Sequence, residues 1–198
     1  MKKIALGDVK NLVEYEKLRD AERARIIALK QNRRLSVGPN LTFLFENRET
    51  VLFQIQEMAR TERIVHDDKI QEEIDSYNAL IPDSGELSAT LFIEIPDLHL
   101  MTQDQVRQAV NRFQGLDRDC VVLLVGEQRV AARFESGHGK EEKLAAVQYL
   151  RFAAAAEARG LLAQPNAPLR LVIEHPNYSA QQDVPPAVLA ELLKDLEC

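Results

Sequence analysis

Six side chains are of types that could carry chemistry: Glu46, Glu57, Arg60, Glu94, His175 and Tyr178. Carboxylates and imidazoles are the ligands that hard and borderline metals take, and a glutamate can act as general base while an arginine orients an anion. The four histidines, His66, His99, His138 and His175, include no His-x-x-x-His pair. A metal site would therefore need convergence in space, drawing on Glu46, Glu57, His66, Glu73, Glu94 and His175. An enzyme reading joins Glu57, Glu94 and His175 in one cleft, with Arg60 holding an anionic substrate. Against it stand plainer roles. Carboxylates serve as caps, solvated faces or ion-pair partners. His175, before Pro176-Asn177-Tyr178, can lock a turn by bonding a nearby carbonyl.

Other chemistry finds less support. Gly137-His138-Gly139-Lys140 ends like a phosphate loop, but Phe134 stands where the first glycine belongs and Glu141 where a Ser or Thr belongs. The two cysteines, Cys120 and Cys198, form no Cys-x-x-Cys pair, so neither a disulfide framework nor an iron–sulfur centre is expected. With no nucleotide motif either, the cofactor is unknown and a metal stays open. The chain of 198 residues carries 25 bases and 31 acids, a net charge of −6. That makes nucleic acid an unfavoured partner, because such binding depends on Lys and Arg neutralising phosphates. No apolar run is long enough to span a bilayer and no leader pattern opens the chain, so a cytoplasmic location is expected.

Charge is unevenly distributed. Lys17 to Arg34 holds seven bases against two acids, and Glu62 to Glu86 holds eight acids against two bases. The two stretches could pair within one molecule or between protomers, which leaves a homo-oligomer open. Arg23, Arg25, Arg33 and Arg34 are the candidate residues for docking a protein partner. RNA binding through them lacks the interleaved aromatics of a stacking site.

These residues must be positioned by a mixed set of elements. Asp8 can cap a helix from Val9, and a second helical stretch runs from Asp20 to Gln31. The period then becomes two, with strands Arg34–Val37 and Leu41–Glu46 around Gly38-Pro39-Asn40, where Asn40 tolerates positive φ. Asn47 caps a helix from Arg48 to about Val65. On it Gln54, Glu57 and Arg60 border the apolar stripe, and Glu57 with Arg60 could pair at i, i+3. A helix over Asp68–Ala79, a strand Leu87–Ile95 and a helix capped by Thr102 follow. Then come a hairpin of Cys120–Val125 with Arg129–Phe134, a loop at Ser136–Gly139, a strand near Ala146–Phe152 and a short helix to Arg159. Strand Leu169–Glu174 and a final helix Ala187–Leu196 complete the chain. Together they predict one α+β domain over 1–198, with a largely antiparallel sheet built from hairpins. An N-terminal helical layer and a C-terminal helix pack on it. A sub-boundary is expected near 81–86.

Several runs carry a resemblance. They are Arg23–Lys30, Arg33–Pro39, Leu41–Thr50, Gln54–Ile64, Tyr77–Pro82 and Leu87–Glu94, with Val147–Phe152 and His175–Tyr178 as later landmarks. The chain resembles the bacterial domain-of-unknown-function 3501 family, specifically over about residues 10–95 and more loosely afterwards. The resemblance implies no defined activity. It does imply a gene neighbourhood containing rubrerythrin and an iron–sulfur oxidoreductase. From that follows the expectation of an accessory protein for peroxide defence or electron transfer, docking to one of those redox proteins.

Overall fold

The computed structural model describes residues 1–135, 146–153, 160–161 and 168–196. The expected loop at Ser136–Gly139, the short helix to Arg159 and Cys198 lie outside them. Nine strands are described: β1 (Arg34–Val37), β2 (Leu41–Glu46), β3 (Glu86–Ile93), β4 (Val121–Val125), β5 (Gln128–Ala131), β6 (Arg133–Phe134), β7 (Val147–Ala153), β8 (Leu169–His175) and β9 (Tyr178–Asp183). The long helices are α1 (Leu12–Gln31), α2 (Arg48–Thr61), α3 (Asp67–Asn78), α4 (Gln103–Asn111) and α5 (Pro186–Leu196). This is an α+β fold.

The strands form two antiparallel sheets rather than one, in the orders β1-β2-β3-β7-β6 and β5-β4-β8-β9. Their inward faces share one apolar core that includes Phe43, Phe45, Leu91, Leu123, Phe152 and Leu171. The hairpin strand expected at Arg129–Phe134 is divided between the sheets. β5 pairs with β4, Ala132 donates to the Val121 carbonyl (2.8 Å), and β6 pairs with β7. A single extended stretch thus leaves one sheet and joins the other.

The opposite edges are joined by a side chain. Tyr178 Oη donates to the Val37 carbonyl (2.7 Å), accepts from the Asn40 amide (3.3 Å), and its ring packs on Phe113 at 5.1 Å between centroids. Gly38, not Asn40, takes the left-handed conformation of the β1–β2 turn, with φ of 66°. A Cβ there would lie 2.3 Å from Tyr178 Oη, so the close approach needs glycine.

The N-terminal layer differs from expectation in its opening. Asn11, not Asp8, caps a single continuous α1 by accepting from the Glu14 amide at 3.0 Å. Asp8 belongs to a short 3₁₀ turn and pairs with Arg48 at 2.7 Å. Helices α1, α2 and α3 cover the outer face of the first sheet. α2 and α3 pack through Val51, Ile55, Ile70 and Ile74, and these form a second apolar cluster separate from the core between the sheets. Helix α5 inserts Val188 and Leu192 into that central core.

Candidate functional site

Strand β2 is buried at all six positions. Alternation sends Leu41, Phe43 and Phe45 inward, which turns Thr42, Leu44 and Glu46 toward the helices. Glu46 ends the strand and is 7% exposed. Helix α2 starts at once, with Asn47 as N-cap. Its side chain accepts from the Thr50 amide (3.0 Å), and Thr50 Oγ1 accepts from the Asn47 amide (2.9 Å). This reciprocal cap points the Thr50 hydroxyl back at Glu46, where it donates to Oε2. Thr90 lies opposite Leu44 in the β2–β3 register, diagonal to Glu46, and donates to Oε1 at 2.6 Å. Both carboxylate oxygens are held, and the positive end of α2 lies beside them.

Above this carboxylate is a cavity of about 240 Å³ between the sheet and helices α1–α3. Polar side chains of Lys30, Gln54, Tyr77 and Tyr149 line it together with Glu46, Thr50 and Thr90, and Leu44, Val51, Leu80 and Phe92 supply apolar wall. Tyr149 faces Thr90 directly across the β3–β7 pair. Burial raises its phenol above the ordinary value, and the Tyr77 phenol and Glu46 carboxylate add to the shift. The Lys30 ammonium stands 5.8 Å from the centre of the Phe53 ring. No cation lies within ion-pair distance of Glu46 among the described residues. A second cavity of about 250 Å³ adjoins across Tyr77, Leu80 and Tyr149, which line both.

Glu46 is fixed from behind by Arg33. That arginine is fully buried, which removes it from the docking face expected of Arg23, Arg25, Arg33 and Arg34. Its Nε donates to the Phe45 carbonyl (2.9 Å) and its Nη2 to the Glu46 carbonyl (3.3 Å) and to Asp195 of α5. Glu191 stands 3.6 Å from Nη1. Burial pushes the Asp195 carboxyl up to about 6, against the pull of Arg33. The guanidinium thus satisfies two strand carbonyls and a buried acid together.

The remaining sequence candidates have other partners. Glu57 accepts from Arg19 Nε and Nη2 (2.8 Å each) and from the Tyr15 hydroxyl (2.7 Å). The Arg19 hydrogen bonds hold its carboxyl below the ordinary value, against the effect of burial, and Tyr15 adds to the lowering. Burial and the Glu57 bond push the Tyr15 phenol up. Arg60 pairs with Glu16 at 2.8 Å, not with Glu57. Glu57 and Arg60 therefore bolt α2 to α1, while Gln54 on the same helix lines the cavity.

Glu94 accepts from Thr42 Oγ1 at 2.8 Å and sits at the exposed end of the sheet. His175 lies on β8 in the other sheet, its Nε2 3.0 Å from the Gln114 carbonyl and its Nδ1 accepting from the Asn177 amide. Glu57, Glu94 and His175 thus each answer to a different set of neighbours. Among the described residues no three His, Cys, Asp or Glu side chains gather as a metal site. Nor do the basic and acidic stretches pair there. Arg25 goes to Glu22 and Glu49, while Asp83 goes to Lys3 and Arg151.

Arg151 is a hub that sequence reasoning missed. It reaches Glu86 and Glu135 (2.8 Å each) and the Ala79 and Ile81 carbonyls, tying β7 to the loop after α3. An arginine alternating with apolar residues in Val147–Phe152 was the available signal.

A family model described as "Protein of unknown function (DUF3501)" matches residues 3–196. The chain belongs to this family. A solved structure, a novel protein of unknown function from Burkholderia pseudomallei K96243, is 36% identical with a TM-score of 0.89, over 98% of this chain and 100% of that one. No curated protein matches the chain. Among the described residues no helix is long and apolar enough to cross a membrane.

Proposed function

We propose that this DUF3501 protein is a binding protein that takes a small amphipathic molecule between its helical layer and its first sheet. The observation that carries this reading is the cavity over Glu46. Small-molecule sites are concave and mostly apolar, with a few placed polar groups that fix orientation. Here one buried carboxylate, two threonine hydroxyls, an amide, two phenols and the Lys30 side chain share the cavity wall with Leu44, Val51, Leu80 and Phe92. Native mass spectrometry of the purified protein, with a thermal-shift screen of small molecules, tests it. Gln54→Trp fills the cavity from a half-buried helix position. It should abolish every stabilising hit while the unliganded protein keeps a cooperative melt, with a cost of no more than about 3 kcal/mol, the scale of an enlarged interior side chain. Hits that survive Gln54→Trp would overturn the reading.

The accessory role implied by the family resemblance joins this proposal through α1. Lys17 and Arg23 on α1 and Arg34 at the start of β1 are exposed and free of ion pairs among the described residues, and the exposed Val13 and Ile27 stand one turn from Lys17 and Arg23. This face supports docking to a rubrerythrin or an iron–sulfur oxidoreductase. Reversal of charge at Arg23 and Arg34 should weaken such a complex in a pull-down, and added salt should weaken it further. Binding insensitive to both would remove the docking role.

A further inference from the structure

We propose that the ligand is an aliphatic diamine or polyamine, with one ammonium on Glu46, a second on Glu73, and the carbon chain lying along Tyr77, Leu80 and Tyr149. The inference rests on the ligand-binding reading and names the chemistry of its ligand.

Glu46 is 7% exposed and its hydrogen bonds come from neutral hydroxyls. Taking a carboxylate from water is costly unless it is paired and hydrogen-bonded. The threonines and the start of α2 supply hydrogen bonds and a partial positive charge, and among the described residues no cation pairs with Glu46; Lys30, on the same cavity wall, stands over the Phe53 ring. A primary ammonium entering the cavity would pair with Glu46 and add N–H donors for the remaining lone pairs.

A second cavity adjoins this one. It is lined by Met58, Glu73, Ser76, Ala79 and Glu135 besides the three shared residues, with no lysine, arginine or histidine among the described residues. Glu135 is engaged by Arg151. Glu73 has no ion pair or hydrogen bond among the described residues, and burial, with Glu62 and Glu72, raises its carboxyl. Among the described residues, two carboxylates without a cation at ion-pair distance thus stand on either side of an apolar and aromatic divide. A monocation would satisfy one of them. A chain with an ammonium at each end satisfies both and leaves its methylenes against Leu80 and the tyrosine rings, whose faces also attract cations. Ca²⁺ or Mg²⁺ fits less well, since those ions want six or more oxygens and these walls are largely carbon.

Isothermal titration calorimetry of the full chain with butane-1,4-diamine and spermidine tests the proposal, with butylamine, butane-1,4-diol and succinate as comparisons. The diamine should bind at least tenfold more tightly than butylamine, and the diol and succinate should bind more weakly than either. Glu46→Gln should weaken the diamine at least tenfold. Glu73→Gln lies on an outer helix where folding is not at stake, and it should bring diamine affinity down to that of butylamine. Equal binding of diol or succinate would overturn the cation assignment and leave the cavity a ligand site. Diamine binding unchanged by both substitutions would overturn the placement. If no compound of any charge binds, the binding reading falls with it.

Discussion

The two faces of β2 are equally buried and chemically opposite. Phe43 and Phe45 face a core filled by side chains from two sheets. One residue further on, Glu46 faces helices through hydroxyls and a cavity. Both faces belong to one backbone, so the difference lies in what covers them. A sheet covering a sheet interdigitates over its whole area. Three helices covering a sheet meet it along ridges and leave space between, and that space is where the polar groups collect. The inner face carries the packed core and the outer face carries the candidate site.

Substitutions along this strand and its supports should separate the two roles. Phe43→Ala should cost about 4 kcal/mol in denaturant unfolding, the cost of emptying a packed aromatic site. A loss under about 1 kcal/mol would mean that the core is far looser than its burial implies.

Arg33→Ala should cost about 3 kcal/mol, because it leaves Asp195 buried without its cation and two strand carbonyls without a donor. The paired replacement Arg33→Met with Asp195→Leu should recover much of that loss. It should also weaken ligand binding at Glu46, whose carbonyl Arg33 holds. No recovery in the double variant would mean that the pair acts through more than charge.

Asp195 also predicts a pH dependence. Its carboxyl titrates near 6 in the folded chain and near 3.8 when unfolded. Between those values the native state binds more protons, so this group's contribution to stability is complete below about pH 4. It is lost as pH rises through 6, with a slope of about 1 kcal/mol per pH unit at most. Asp195→Asn should flatten that slope in urea titrations between pH 4 and 6.5; an unchanged slope would assign it to another group.

The smallest expected effect belongs to Glu46→Gln. An amide of the same shape can still meet both threonines, so stability should move by less than about 1 kcal/mol. Set beside Phe43→Ala, this states the comparison in two numbers from one strand. A large loss would make Glu46 a structural residue and shift the site elsewhere.

Much of the fold was legible in the sequence, for local reasons. The alternation of Leu87 to Ile95 announced β3, and Asn47 and Thr102 announced the starts of α2 and α4. Strand β9 was not, because Ser179, Gln181, Gln182 and Asp183 form a solvated edge without an apolar alternation. The passage of Gln128–Phe134 between sheets left no mark either, since either sheet accepts the same residue types. Of the site, Glu46 was named, but its partners were not. Thr90 is 44 positions away and the roof comes from three helices. Arg33 was misplaced because a base within a basic run reads as surface, and its partner Asp195 lies at the other end of the sequence.

That separation has a consequence for how the protein is made. Arg33 and Asp195 are 162 positions apart. At a synthesis rate of about 5–20 residues per second, roughly 8–30 s pass between the appearance of one and the other. For that interval the guanidinium has no acid to enclose it, so β1, β2 and the floor of the cavity can pair but cannot be sealed. The site beneath the helices is thus finished by a residue that leaves the ribosome long after the strands it steadies, and a nascent chain stopped short of Asp195 would carry the cavity walls without their anchor.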